Sequence, residues 1–170
     1  MATEQGTNMV ISVGDTLPDA EFLRIGESGP EAFPSSEVVG EGKTVIFGLP
    51  GAFTGTCDKM HVPSFIRVMD QLAEKGVKSV CCMSVNDPFV MKAWGLSTGA
   101  EAAGIHMVAD PMSDFTKALG LEFSAPPAGL LNRSKRFSMV IEGGKVTHLN
   151  LETEPGMCEI AAGETLLAQL

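Results

Sequence analysis

The chain is poor in cysteine and in positive charge. It contains four cysteines, and no two of them have Cys-x-x-Cys spacing, which disfavours a thioredoxin-type dithiol and a structural zinc site. Its 12 Lys and Arg against 21 Asp and Glu give a net charge of −9. That charge argues against nucleic acid or an anionic membrane as a partner, because both attract basic patches.

Targeting and membrane-spanning signals are missing as well. The first eight residues have no arginine, no apolar core and an early acid, Glu4, unlike a signal peptide or a transit peptide. No apolar run approaches the ~18 residues of a membrane span. With so few cysteines, a secreted disulfide framework is also disfavoured. We therefore expect a cytoplasmic protein in which residues 1–170 form a single domain with a full hydrophobic core.

What the chain does have is a cysteine placed between a strand and a helix. The apolar run 44–49 predicts a buried strand, and the residues after Cys57 become amphipathic. The start of a helix offers unpaired N–H groups and a partial positive charge. Cysteines in such places reach pKa values of roughly 3.5 to 7.5. Thr54, on the same turn, can aim its hydroxyl at the sulfur, so the pattern predicts a nucleophile.

The remaining pattern alternates strand and helix. Residues 77–85 predict a central strand, and Asp87-Pro88 and Asp110-Pro111 each predict a helix start with Asp as N-cap and Pro in the first turn. Further predicted features are a helix after Cys57 that Pro63 bends and Gly76 ends, a short strand 105–109, a hairpin 137–149 turning at Gly143-Gly144, and a final helix 163–170. Because a hairpin follows the alternating part, we expect a thioredoxin-like α/β sandwich with a mixed central sheet flanked by helices.

The residues around the cysteine resemble a known family. Pro50, Thr54 and Cys57 fill the pattern Pro-x-x-x-Thr-x-x-Cys, which is similar to the active-site signature of the peroxiredoxins. The resemblance is to the type II subgroup, spans residues 13–170, and includes the segments 75–77, 84–90, 94–95, 109–111 and 136–140. One departure is Gly55, where the family usually has proline; glycine admits backbone conformations that proline forbids.

The resemblance implies a role for each site residue. Cys57 would be the peroxidatic nucleophile, and Thr54 would hydrogen-bond to the sulfur and the peroxide. Pro50 would shield the pocket from water. Arg136 would stabilise the thiolate and the charge on the leaving oxygen, a task that suits a permanently charged, planar donor. Only the resemblance pairs Arg136 with Cys57.

Two cysteines are candidates for resolving the oxidised Cys57. Cys158 lies near the position of the resolving cysteine in animal members of the subgroup, and Cys82 matches the second cysteine of plant members. We favour Cys158, on a late loop that we expect to be exposed, over Cys82 in a central strand. A one-cysteine cycle is a close alternative. Cys81 alternates with Cys82 and is expected in the core.

The implied activity is a thiol-dependent peroxidase that reduces hydrogen peroxide and alkyl hydroperoxides, serves antioxidant defence and redox homeostasis, and needs no cofactor or metal. Thioredoxin, or glutathione with glutaredoxin, would supply electrons, and a homodimer is expected from the resemblance alone. One alternative is a redox-signalling or holdase protein whose Cys57 is oxidised without rapid turnover. Another is a thiol hydrolase with a Cys57–His61 dyad, disfavoured because no third residue evidently orients His61.

Overall fold

A mixed β-sheet forms the centre of the molecule. The computed structural model describes residues 9–170. Within them the strands are β1 (Glu21–Gly26), β2 (Gly29–Pro34), β3 (Lys43–Leu49), β4 (Val77–Ser84), β5 (His106–Ala109), β6 (Glu122–Ala125), β7 (Leu130–Ser134), β8 (Phe137–Glu142) and β9 (Lys145–Leu151). Seven of these form one sheet in the order β2-β1-β5-β4-β3-β8-β9, and β6 pairs with β7 separately.

The helices lie on both faces of this sheet. They are α1 (Ser35–Val39), α2 (Val62–Glu74), α3 (Pro88–Thr98), α4 (Asp114–Leu119) and α5 (Gly163–Ala168). A π-helical turn, Cys57–His61, leads into α2, and a 3₁₀ turn, Pro126–Ala128, joins β6 to β7. None of the helices in the described part of the chain is long and apolar enough to cross a membrane.

Side chains of the central strands alternate between two cores. Strands β3, β4 and β5 run parallel, and β8 pairs antiparallel with the other edge of β3. On β4, Cys82 faces the core shared with α2, α3 and α5, whereas Cys81 faces the core shared with α1 and α4. Both thiols are fully buried, as expected of a strand covered on both faces.

The predicted architecture is confirmed in its main lines. The mixed sheet flanked by helices is present, with β3, β4 and the β8–β9 hairpin where the sequence pattern predicts them. Asp87 caps α3 by accepting a hydrogen bond from the backbone N–H of Val90. Both turn glycines, Gly143 and Gly144, have positive φ, which a tight two-residue hairpin turn requires.

The predicted helix start at Asp110-Pro111 is wrong by about one turn. Helix α4 begins at Asp114, after Ser113, which has a φ of +62°. The Asp110 carboxylate still serves the helix, because it accepts hydrogen bonds from the N–H groups of Phe115 and Thr116. Asp110 therefore caps the helix as predicted, but residues 111–113 form a turn between it and the first helical residue. The hairpins β1–β2 and β6–β7 were not predicted.

Candidate active site

Cys57 lies just beyond the carboxyl end of β3, inside the first turn of helical structure. The chain leaves β3 at Leu49, crosses a short loop, and is already helical at Gly55 and Thr56. The N–H of Asp58 donates to the carbonyl of Thr54, which closes the first turn. The first N–H groups of a helix lack acceptors within it, and Cys57 is among the residues that carry them. The side chain is buried, with Cys57 only 1% exposed.

Arg136, the residue directly before β8, contacts this sulfur. It is 2% exposed, and its Nη2 is 3.3 Å from Cys57 Sγ. The same Nη2 donates to the carbonyl of Pro155 at 3.0 Å, and Nη1 lies 2.9 Å from His61 Nδ1. These contacts hold the guanidinium, a permanently charged planar donor, beside the sulfur.

The loop between β3 and the helix is held by hydrogen bonds at successive residues. Arg133 Nη1 donates to the carbonyl of Pro50 at 2.9 Å. The N–H of Ala52 donates to Asn86 Oδ1 at 3.0 Å, and the Thr54 hydroxyl donates to the carbonyl of Gly51 at 2.7 Å. Because the Thr54 proton points at Gly51, the hydroxyl oxygen presents its lone pairs as acceptors. Pro50 itself is buried.

Arg133 and Asn86 hold this loop, although the sequence pattern did not predict a role for either of them. Asn86 follows β4 at the carboxyl ends of the parallel strands, where ligand sites of open α/β sheets gather, so its position in the topology was a usable signal. Nothing in the sequence spacing connects Arg133, on β7, with Pro50.

His61 packs inside the protein instead of acting on the sulfur. Its ring contacts those of Phe47 and Phe65, with centroids 5.0 and 5.7 Å away. Burial and the nearby Arg136 charge lower the pKa of His61 from 6.5 to about 3, so the ring is neutral at physiological pH. A guanidinium can only donate and a carbonyl can only accept. Nδ1 therefore accepts from Arg136, and Nε2–H donates to the Ala161 carbonyl at 3.0 Å.

This geometry counts against the hydrolase alternative. Both His61 nitrogens are engaged with groups other than Cys57, so the ring cannot take a proton from the thiol. What His61 does instead is fix one edge of the Arg136 guanidinium.

The Cys158 segment lies against the active site. Its loop is exposed at residues 153–157 and 159–160, as expected, but Cys158 itself is buried and is less accessible than predicted. Cys158 is 7% exposed, because hydrogen bonds tie the residues around it to the site. Thr56 Oγ1 donates to the carbonyl of Gly156 at 2.9 Å. The carboxylate of Glu152 accepts from the N–H groups of Glu159 and Ala161. Burial raises the pKa of the Cys158 thiol to about 11.

Cys82 lies deeper than Cys158. It is fully buried in the middle of β4, in the same core cluster as Cys57, and burial raises the pKa of its thiol well above the usual value. Burial also raises the pKa of Cys81 to about 12, on the opposite face. The structure therefore brings Pro50, Thr54, Cys57 and Arg136 into one site, with both second thiols nearby but out of solvent.

Comparisons with known proteins identify the family of this chain. The Redoxin family model matches residues 12–167. Peroxiredoxin-2C of Oryza sativa subsp. japonica is 43% identical over 161 residues, which cover 94% of this chain and 98% of that protein. The crystal structure of reduced Prx3 from Vibrio vulnificus in complex with hydrogen peroxide matches with a TM-score of 0.87 at 44% identity, over 94% of this chain and 99% of that one. Peroxiredoxin 5 from Alvinella pompejana matches with a TM-score of 0.80 at 33% identity, over 93% and 96% of the two chains.

The site consists of a buried cysteine beside a guanidinium, at the start of a helix on a mixed sheet. This is the arrangement expected of a thiol-based redox protein. The chain belongs to the Redoxin family and, within it, to the peroxiredoxins. It is an oxidoreductase, a thiol-dependent peroxidase with an antioxidant role.

Proposed function

We propose that Cys57 is the peroxidatic nucleophile and that it reduces hydrogen peroxide and alkyl hydroperoxides. The thiolate sulfur forms a bond to one peroxide oxygen while the O–O bond breaks. The second oxygen takes a proton and leaves as water or an alcohol, and Cys57 becomes a sulfenic acid. The observation that carries this proposal is the 3.3 Å contact between Arg136 Nη2 and Cys57 Sγ.

Three neighbouring residues have different roles in the first step, the reaction of Cys57 with the peroxide. Arg136 stabilises the thiolate and then the negative charge that grows on the leaving oxygen. Thr54 accepts a hydrogen bond from the peroxide O–H, because its own proton is given to the Gly51 carbonyl. Pro50 closes the pocket against water at the end of β3.

We assign the second step to Cys158. The contacts of Pro155 with Arg136 and of Gly156 with Thr56 keep the Cys158 segment beside the site, on a loop that can move without disturbing the sheet. Cys82 is fully buried in the central strand β4, so its use would require local unfolding around Cys57. A Cys57–Cys158 disulfide favours thioredoxin as the reductant. In a one-cysteine cycle, glutathione and glutaredoxin would take its place.

The chain is further proposed to be one cytoplasmic domain that forms a homodimer. The cytoplasm is supported by the likeness to peroxiredoxin-2B, -2C and -2D of Arabidopsis thaliana, whose names carry no organelle, although chloroplastic and mitochondrial relatives match as well. The homodimer is supported by exposed apolar side chains beside the site. Phe53, Phe89 and Leu96 are 53, 63 and 63% exposed, and the last two lie on one face of α3.

The test is peroxide consumption with each electron donor in turn. NADPH oxidation is followed with thioredoxin and its reductase, and separately with glutathione, glutaredoxin and glutathione reductase. We expect turnover with thioredoxin that Cys57→Ser abolishes and Cys158→Ser lowers at least tenfold. Turnover that is unchanged in Cys57→Ser would contradict the assignment of the nucleophile. Full activity of Cys158→Ser with thioredoxin would contradict only the resolving step.

A further inference from the structure

The burial of Cys57 hinders the second step of its cycle, in which a thiol attacks the Cys57 sulfenic acid. Cys57 is 1% exposed, with its Sγ 3.3 Å from Arg136 Nη2, and Cys158 is 7% exposed. Whichever thiol attacks the sulfenic acid must reach Cys57 Sγ, form an S–S bond and displace the hydroxyl group, which leaves as water with the thiol proton. On the proposed function, therefore, the turn that carries Cys57 has to open after each oxidation.

One side chain ties this turn to the rest of the protein. Asp58 follows Cys57 directly, and its Oδ1 accepts a hydrogen bond from the indole Nε1–H of Trp94 at 2.7 Å. Trp94, on α3, is fully buried and is the only tryptophan of the chain. An ionised acceptor makes this bond stronger than one between neutral groups. The acceptor belongs to the turn, and the donor belongs to the core.

The backbone on both sides of Cys57 is irregular, so the bond from Asp58 to Trp94 contributes more to holding this turn in place. In the π-helical turn the N–H of Val62 bonds to the carbonyl of Cys57, and the next residue, Pro63, has no N–H to continue the ladder. On the other side of Cys57, Phe53 has a φ of +64°, an uncommon conformation for a bulky residue. The Phe53 ring also contacts Trp94, with centroids 6.3 Å apart. Trp94 thus contacts the active-site segment on both sides of Cys57.

We propose that Asp58 is a positioning residue whose bond to Trp94 holds the Cys57 turn closed and sets how often it opens. The closed turn places the sulfur beside Arg136 for the peroxide. The open turn presents Cys57 to the thiol that reduces it. Asp58 therefore acts on the second step of the cycle and not on the reacting atoms of the first.

The two steps respond differently when the bond is lost. As long as the open form is rare, a tenfold rise in its population leaves nearly all molecules closed, so the peroxide step changes little. The step that needs the open form rises with its population, by up to the same factor. Loss of Asp58 should thus leave the rate of Cys57 oxidation nearly unchanged and raise the rate of the second step. Loss of a group that acts on the peroxide would instead slow oxidation.

Hydrogen exchange measures the opening without any peroxide. The reduced protein is compared with Asp58→Ala, Trp94→Phe and the double variant, and exchange is followed in the peptide that covers residues 57–62. We expect about tenfold faster exchange in each single variant, equivalent to about 1.4 kcal/mol. The double variant should exchange no faster than the faster single variant, because both remove the same bond.

Asp58→Asn is the matched control, since it keeps an acceptor oxygen without the charge and should exchange more slowly than Asp58→Ala. Exchange in β8 reports global unfolding and should stay unchanged in the Asp58 variants. Unchanged exchange in residues 57–62 of Asp58→Ala, or fully additive effects in the double variant, would overturn the proposal.

A kinetic arm links the opening to the cycle. Asp58→Ala should keep its rate of Cys57 oxidation within about twofold of the wild type and form the disulfide, or react with added thiol, up to tenfold faster. Oxidation slowed tenfold with no gain in the second step would contradict the assigned role. Because the exchange result does not depend on peroxide, failure of Cys57 to react at all would count against the proposed function and leave the exchange test intact.

Discussion

At the scale of single residues, the site depends on a guanidinium with three acceptors. Arg136 contacts Cys57 Sγ, His61 Nδ1 and the Pro155 carbonyl from a buried position. Cys57 Sγ and the Pro155 carbonyl share Nη2, and His61 Nδ1 accepts from Nη1, so both terminal nitrogens are held in place beside the sulfur. Such preorganisation is what lets a hydrogen-bond donor stabilise developing charge without reorganising.

The first prediction concerns the hydroxyl of Thr54. Thr54→Val removes the donor to Gly51 and, with it, the acceptor that we propose for the peroxide. It should slow Cys57 oxidation about 100-fold or more, the usual cost of losing one positioned hydrogen-bonding group in an active site. Thr54→Ser keeps the hydroxyl and should retain most of the rate. Stopped-flow mixing with peroxide measures both. Equal rates for the two variants would show that the hydroxyl has no part in the step.

A second prediction follows from the low pKa of His61. Its pKa is about 3 when folded and 6.5 for the free side chain, so only the unfolded state takes up a proton between these values. Stability from the neutral ring is complete above pH 6.5 and is lost as the pH falls towards 3, with about 2 kcal/mol gone at pH 5.

His61→Gln offers an oxygen acceptor and an N–H donor but does not titrate. Urea unfolding of the two proteins at pH 7 and pH 5 should therefore show a smaller drop for His61→Gln, by about 2 kcal/mol. The carboxylates are common to both proteins and cancel in the comparison. An identical drop in the two would mean that His61 is already protonated in the folded protein.

How much of the site the sequence could predict depends on distance along the chain. Pro50, Thr54 and Cys57 lie on one turn, and local rules of helix starts and thiol chemistry connect them. Arg136 comes 79 residues after Cys57 and meets it only because β8 pairs with β3. No periodicity specifies that pairing, so the resemblance alone suggested the residue. The roles of Arg133 and Asn86 depend on the same tertiary placement.

At the scale of elements, the local sequence predicted only part of the structure of the turn from Cys57 to His61. The presence of Pro63 predicts a disturbed helix, and the disturbance takes the form of a π-helical turn directly before α2. This places Pro63 in the first turn of the α-helix, where a missing N–H costs little. The sequence indicated where the helix is irregular, but not that the irregular form is a π-helical turn.

Gly55 gives the third prediction, on this same segment. It is helical, and a Cβ at this position would meet nothing within 4 Å. Gly55→Pro should stabilise the protein by about 0.4–1 kcal/mol through the unfolded state, since proline is favoured in the first helical turn. We expect thermal unfolding to rise by about 1–4 °C.

Gly51→Ala is the contrasting control, because its Cβ would lie 2.6 Å from Arg133 Nη1 and disturb the bond of that group to Pro50. It should lower the melting temperature. A melting temperature that falls in Gly55→Pro would mean that the segment needs conformations that only glycine reaches.

At the scale of the whole molecule, the sheet explains why distant residues meet. Strand β3 lies between β4 and β8, and the segments at one end of these three strands carry Cys57, Asn86 and Arg136. The residues after β9 then fold back over this end and bring Cys158 with them. Alternation of strand and helix predicted the sheet and its layers, but the order of strands, which creates the site, came from the structure.

The fourth prediction concerns the apolar face formed by Phe53, Phe89 and Leu96. If this face is the homodimer interface, the double variant Phe89→Glu/Leu96→Glu should sediment as a monomer at concentrations where the wild type is a dimer, because charges are costly to bury. Met112→Glu is the control, since Met112 is 72% exposed and precedes α4, which packs on the opposite face of the sheet. Dissociation by the control, or a wild type that is monomeric throughout, would contradict the interface.

The most direct measurement is the intact mass of the protein after one equivalent of hydrogen peroxide, followed by peptide mapping without reductant. The wild type should lose about 2 Da and yield a Cys57–Cys158 peptide, and Cys158→Ser should instead gain about 16 Da, one oxygen, on Cys57. Cys57→Ser should not change. A wild type in which Cys57 acquires neither an oxygen nor a disulfide would contradict the role of Cys57 as the peroxidatic nucleophile.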